Sequence, residues 1–182
     1  IAAILFMIAI SYPELELRDE IISYFKSINP YSRNNYVKLL FSKPKNENEE
    51  LLVVKMLGEA YVTDTSNKII RMNNLASKYA NEIEDTLRLK TADVRKNAIN
   101  LILSLGTPQI LKSAENLVQA KSENKRLAGL DILTRVKDKQ DFAKEKIEKI
   151  IATIKEPTDP EKILIDGLLD KKAIESSDLY DV

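Results

Sequence analysis

Residues 93–154 read DVRKNAINLILSLGTPQILKSAENLVQAKSENKRLAGLDILTRVKDKQDFAKEKIEKIIATI. One apolar spacing occurs twice in this stretch. Val94, Ala98, Leu101, Ile102 and Leu105 advance by 4, 3, 1 and 3 residues, and Ala143, Ile147, Ile150, Ile151 and Ile154 repeat those steps. That spacing gathers the apolar side chains on one face of a helix. Short polar turns separate the runs. Consecutive amphipathic helices with little else predict an all-α fold, and more narrowly an α-solenoid of antiparallel helix pairs, an architecture that exposes long surfaces for binding other molecules.

Punctuation divides the rest of the chain. Helices are expected over Ile1–Ser11, Glu14–Ile28 and Tyr31–Phe41, with a polar loop at Ser42–Asn48. A fourth helix is expected over Glu49–Val62, with Leu52, Val53, Met56, Leu57 and Ala60 on one face. After a turn at Thr63–Asn67, a long helix runs from Lys68 to Lys90, broken near Asn73-Asn74. Gly106 suits a left-handed helix stop. Thr107 and Pro108 suit the N-cap and first position of the next helix. Leu127, Leu130, Leu133 and Val136 line the helix after it, Gln140–Ile154 is its partner, and Thr158-Asp159-Pro160 opens a last helix through Leu169. Residues 1–90 therefore read as divergent helical repeats or a helical cap, 91–170 as the clearer repeats, and 171–182 as an acidic tail that frays. Arg95 and Arg126 occupy matching first-turn positions 31 residues apart, the length of two such helices and their turns.

Composition excludes more chemistry than it suggests. The 182 residues contain no Cys and no His. Disulfides, thiolate metal sites, cysteine nucleophiles and imidazole general bases are thereby ruled out. The lack of Cys fits a reducing compartment, and a cytoplasmic location is expected. Lys plus Arg and Asp plus Glu are equal at 28 each, so the chain lacks the global positive field of a typical nucleic-acid binder. Locally, Arg95–Lys155 carries 13 basic and 7 acidic residues, whereas Glu156–Val182 carries 3 basic and 8 acidic. The basic stretch is read as solvated helix faces rather than a patch.

The chain opens at Ile1 without an initiator Met, which suggests a piece of a longer protein or a processed one. Its first ten residues, IAAILFMIAI, are apolar, but a membrane span needs about 20 and a signal peptide needs a basic leading region. A helix covered by its neighbours or by a second copy is expected here, and the alternative is the remnant of a membrane anchor.

The stretch DVRKNAINLILSLGTPQILKSAENLV resembles a HEAT repeat of the kind found in scaffold proteins and phycobilisome-lyase-like arrays. The matching features are Val94-Arg95, Ala98, Leu101, Leu105-Gly106, Pro108 and Leu117-Val118. The following NKRLAGLDILTRV matches at Arg126, Gly129, Leu130, Leu133 and Val136, and departs at Lys137-Asp138, where the pattern places Gly. KRLAGLDIL also resembles helical regions of large bacterial proteins carrying a domain of unknown function, DUF4132. The resemblance implies a HEAT-like superhelix that presents one row of helices to partners.

No catalytic motif accompanies this pattern. There is no Gly-x-Ser-x-Gly elbow, and Gly58, Gly106, Gly129 and Gly167 are isolated rather than clustered in a phosphate-binding loop. Within helical patterns, Gly58, Gly129 and Gly167 point to close helix packing. Carboxylates cluster at Glu47, Glu49 and Glu50, at Glu82, Glu84 and Asp85, and at Asp159 and Glu161, where helix starts and polar faces account for them. No catalytic residue, cofactor or metal site is expected.

The candidate partner-binding residues are Arg95, Lys96, Lys121, Lys125, Arg126, Tyr31, Arg33 and Tyr36. Arg95 and Arg126 are read first as structural groups, pairing with carbonyls or with carboxylates such as Asp93 and Asp131. In YFKSINPYSRNNYVK the aromatics Tyr24, Phe25, Tyr31 and Tyr36 alternate with cations. That pattern suits base stacking or a protein-binding patch, but core rings beside solvated neighbours are the simpler reading. The expected function is a noncatalytic scaffold or protein-interaction module. Its partner would be another protein or other domains of a longer chain, with self-association through the N-terminal apolar helix as a further route. The alternative is a nucleic-acid-binding helical array with a basic patch on residues 95–149.

Overall fold

Asn29 and Pro30 show how the local sequence starts a helix. The Asn29 side-chain oxygen accepts from Tyr31 N at 2.9 Å, and Pro30 supplies the fixed backbone angle of the first turn. Asn46 caps the next helix by accepting from Glu49 N at 3.0 Å. In the computed structural model, which describes residues 2–137 and 144–169, there are eleven α-helices and no strand among the described residues. The chain divides into two compact units, Ile1–Leu101 and Ile102–Val182.

The first unit holds α1 (Ala2–Ser11), α2 (Arg18–Tyr24), α3 (Pro30–Leu40), α4 (Glu47–Met56), α5 (Thr63–Met72), α6 (Ala80–Thr86) and all but the last residue of α7 (Ala92–Ile102). α2 packs on α4, α4 on both α5 and α6, and α3 on α5. Its core includes Ile21, Phe25, Phe41, Leu57, Ile70, Ile83 and Leu87, with Phe25 and Phe41 edge to face at 6.2 Å between centroids. The second unit holds α8 (Thr107–Val118), α9 (Glu123–Lys137), α10 (Lys144–Ile151) and α11 (Asp159–Leu168). α8 and α11 both pack on α9.

The repeated apolar spacing is the core face. Val94, Ala98, Leu101 and Ile102 are buried and Leu105 is half-buried; in the second copy Ile147, Ile150 and Ile151 are buried. Ala143, the expected helix start at Gln140 and the expected tail at 171–182 lie outside the described residues.

Several expectations change. The second helix is only α2, flanked by 3-10 turns at Pro13–Leu15 and Phe25–Ser27, because Glu16 takes a left-handed backbone at φ 49°. The fourth helix stops at Met56: Leu57, Gly58 and Glu59 donate three residues back instead of four, and Ala60 is exposed. Thr63–Asn67 is not a turn but the start of α5. Its Thr63 and Ser66 are buried and bonded, Ser66 Oγ to Val53 O. The break at Asn73-Asn74 is present, with Asn74 at φ 54°. Gly106 is extended, at φ −67° and ψ 148°, and is itself the N-cap of α8, with Thr107 one position inside. Of the helical glycines, Gly129 marks a close approach, whereas at Gly167 an added Cβ would meet open space.

α1 is covered on one face only. Phe6 and Ala9 are buried, and the Phe6 ring stacks on Tyr36 at 3.4 Å. Ile4, Met7 and Ile10 remain 63%, 68% and 46% exposed. No helix among the described residues is long and apolar enough to cross a membrane.

Candidate interaction surface

Side-chain ties join α3 to α5 and α5 to α7. Thr65 Oγ1 donates to Asn34 Oδ1 at 2.6 Å. Asn67 Nδ2 donates to Asn97 Oδ1 at 2.9 Å, and Asn97 Nδ2 donates to Asp64 Oδ1 at 2.7 Å and Thr63 Oγ1 at 3.2 Å. Arg71 Nη2 donates to Asn100 O at 2.9 Å. Every one of these ties spans between 29 and 34 residues. The same interval recurs where Arg18 grips Glu49, where Asn73 reaches Ser42 O, and where Lys137 reaches Leu168 O, each at 31.

The arginines are spent on this framework. Arg18 meets Glu49 with two bonds of 2.5 and 2.6 Å, and Glu49 is buried. Arg33 donates to Glu59 and to the carbonyls of Ile28 and Lys26 at 3.0 and 2.7 Å. Arg95 Nη1 donates to Leu87 O at 2.9 Å. Arg126 Nε pairs with Glu161 Oε1 at 2.7 Å, and its Nη1 reaches the carbonyls of Ala120 and Lys121. Glu161 is buried and also accepts from Thr158 N at 2.8 Å. A guanidinium bound to a carboxylate and to the carbonyls of the preceding turn fixes the helix start. The carboxylate is Glu161 rather than Asp131, which instead pairs with Arg135 at 2.8 Å.

Charge is divided between two series of helices. α2, α4 and α6 carry eight acidic and two basic residues. α3, α5 and α7 carry six basic residues and two acidic ones, Asp64 and Asp93, each in the first turn of its helix. Lys38, Lys68 and Lys96 contribute one cation per helix of the second series. All three are exposed and take part in no ion pair among the described residues. Tyr31 lies at the start of α3 and Tyr61 in the turn before α5, 67% and 57% exposed, with ring centroids 4.6 Å apart and hydroxyls 3.4 Å apart. The hydrogen bond to Tyr31 raises the Tyr61 hydroxyl above its ordinary pKa.

The other candidates scatter. Tyr36 is half-buried under Phe6 and Phe25 is in the core, so the core reading suits these two rings and not Tyr24 or Tyr31. Lys121 is exposed and Lys125 half-buried in the second unit. Asn34, Thr65, Asn67, Asn97 and Lys68 were not singled out by sequence, and Lys38 only as a cation interleaved with the aromatics of YFKSINPYSRNNYVK; the signal was the interval of about 30 residues in Asn34, Asn67 and Asn97 and in Lys38, Lys68 and Lys96. Among the carboxylates, Glu50 accepts from Lys78 Nζ at 2.6 Å and Tyr79 OH at 2.7 Å, which together lower its pKa. No group of three metal-ligating side chains occurs among the described residues.

The fold and its ties define an all-helical protein in which a recurring set of ionic and polar side chains joins helix to helix. The chain belongs to a family of unknown function, DUF5724, whose pattern matches residues 1–182. Neither a curated protein nor a solved structure matches it.

Proposed function

We propose that this chain is a HEAT-like helical-repeat scaffold, a noncatalytic module for binding other proteins. The observation that carries the reading is the recurring interval of the polar ties. Helices two apart in sequence are bonded at 29–34 residues from α3 through α7, as stacked helix pairs of one repeat length require. A frame so tied holds its exposed side chains in fixed register, and affinity for a partner then comes from a few anchors without an ordering cost.

The nucleic-acid alternative would use Arg95, Lys96, Lys121, Lys125, Arg126 and Lys137, and its two arginines make other bonds. Their bonds to Leu87 O, Glu161, Ala120 O and Lys121 O weigh against it. The test is a pull-down with the purified chain, with and without nuclease, followed by cross-linking of whatever is retained. Proteins that survive nuclease and cross-link to the chain are expected. Retention that vanishes with nuclease would replace the scaffold by the nucleic-acid array.

A further inference from the structure

We infer that the outer face of α3, α5 and α7 receives an extended acidic segment of a partner protein, an inference that rests on the scaffold reading and names its docking face. Lys38, Lys68 and Lys96 lie one on each helix, exposed and outside any ion pair among the described residues. The bonds Thr65–Asn34, Asn67–Asn97 and Arg71–Asn100 O hold these helices in register. Packed helices lie about 8–10 Å apart. A polyproline-II segment advances about 9 Å per three-residue turn. A carboxylate at every third position of such a segment therefore meets one lysine per helix.

The composition of the face selects protein over nucleic acid. Tyr31 and Tyr61 are exposed aromatics, and Asn35 is an exposed amide one helical turn after Tyr31 on α3; tyrosine and asparagine are among the residues that protein-binding surfaces favour. Asp64 and Asp93 lie on the same series, and the chain as a whole is neutral, so a continuous phosphate backbone would find both fixed anions and no long-range field. A short peptide can place its own neutral residues opposite those two carboxylates.

The experiment is fluorescence anisotropy with the full chain at low salt. The probes are a labelled peptide with Glu at every third position and Pro or Ala between, the same composition with the Glu residues contiguous, and labelled oligo-dT. The spaced peptide should bind tightest. Lys38→Glu, Lys68→Glu and Lys96→Glu together should weaken it roughly tenfold or more. The matched triple Lys43→Glu, Lys55→Glu and Lys90→Glu, exposed lysines outside the series, should leave it within about twofold, and circular dichroism should show both triples folded. Equal loss in both triples, no binding by the parent chain, or tighter binding of oligo-dT would overturn the assignment. Capture in the pull-down of a protein that cross-links elsewhere would sink this face while leaving the scaffold standing.

Discussion

Two glycines in helices of the second unit should respond in opposite directions to the same substitution. Gly129 lies mid-way along α9 and Gly167 near the end of α11, both at ordinary negative φ. Alanine gains up to about 1 kcal/mol over glycine in a helix. At Gly167 no heavy atom lies within 4 Å of an added Cβ, so that gain is free to appear. At Gly129 the added Cβ would sit 2.8 Å from Val118 Cγ1, 3.0 Å from Leu117 Cβ and 3.0 Å from Val118 N. Two of those atoms belong to or adjoin the α8 backbone and cannot rotate away, and Val118 is stiff at χ1. α8 must therefore shift off α9, an overpacking cost of about 1–3 kcal/mol. The clash wins: Gly129→Ala should destabilise by about 1–2 kcal/mol net and lower Tm by roughly 3–6 °C, whereas Gly167→Ala should raise stability by up to about 1 kcal/mol. Urea unfolding followed by circular dichroism measures both. A Gly129→Ala protein as stable as the parent would refute the close approach of α8 and α9.

Other substitutions test the polar framework and the first helix. Arg126→Met strands the buried Glu161 carboxylate, and because the Arg126 side chain is 23% exposed the loss should be about 2–3 kcal/mol rather than the larger cost of a fully buried pair; adding Glu161→Gln should restore part of it in the same melt. Lys78 and Tyr79 hold Glu50 below its ordinary 4.5, so its contribution is present above pH 4.5 and is lost as pH falls through the lowered value. In a pH series of urea midpoints, Glu50→Gln should remove that acid-side slope, worth at most about 1 kcal/mol for so exposed a pair. Phe6→Ala should cost about 3 kcal/mol, since the ring is buried on Tyr36. Met7→Gln, on the exposed side of the same turn, should move the melt by less than about 0.5 kcal/mol; a larger loss would mean that this face is covered in solution.

Helix existence was legible wherever apolar residues repeat at helical spacing, as in α7 and α10. It was misread at Thr63–Asn67, and the reason is physical. TDTSN has the composition of a loop, since Ser, Thr, Asp and Asn compete for backbone bonds. In the fold Ser66 is bonded to Val53 O, Asp64 and Thr63 to Asn97, and Thr65 to Asn34. Tertiary partners satisfied the very groups that would otherwise have unwound the helix. The Leu57–Val62 error is the converse: an apolar run that promises a longer helix is diverted into successive turns. On the candidate surface, the pairing of Arg95 and Arg126 could be anticipated from their first-turn positions, but Glu161 could not, because it lies 35 residues from Arg126 and nothing local marks it.

The polar ties bear on why such a framework would be kept at all. Buried Asn97, Thr63 and Ser66 contribute little net stability compared with apolar side chains of the same shape, because each bond replaces one to water. Their leverage is in specificity: displacing α7 along α5 by one residue would unpair Asn67, Asn97 and Arg71 together, and each stranded polar group costs about 1–3 kcal/mol. Apolar contacts alone tolerate such slippage far better. A protein that needed only to be stable would gain from removing these groups. One that must keep Lys38, Lys68 and Lys96 in line across three helices has a reason to retain them, and replacing Asn97 by Leu together with its buried partner Thr63 by Val, so that neither is stranded in the core, separates the two demands. The variant should lose little stability in a urea melt yet weaken binding of the spaced acidic peptide, whereas loss of stability with unchanged peptide affinity would show that the ties serve the core and not the face.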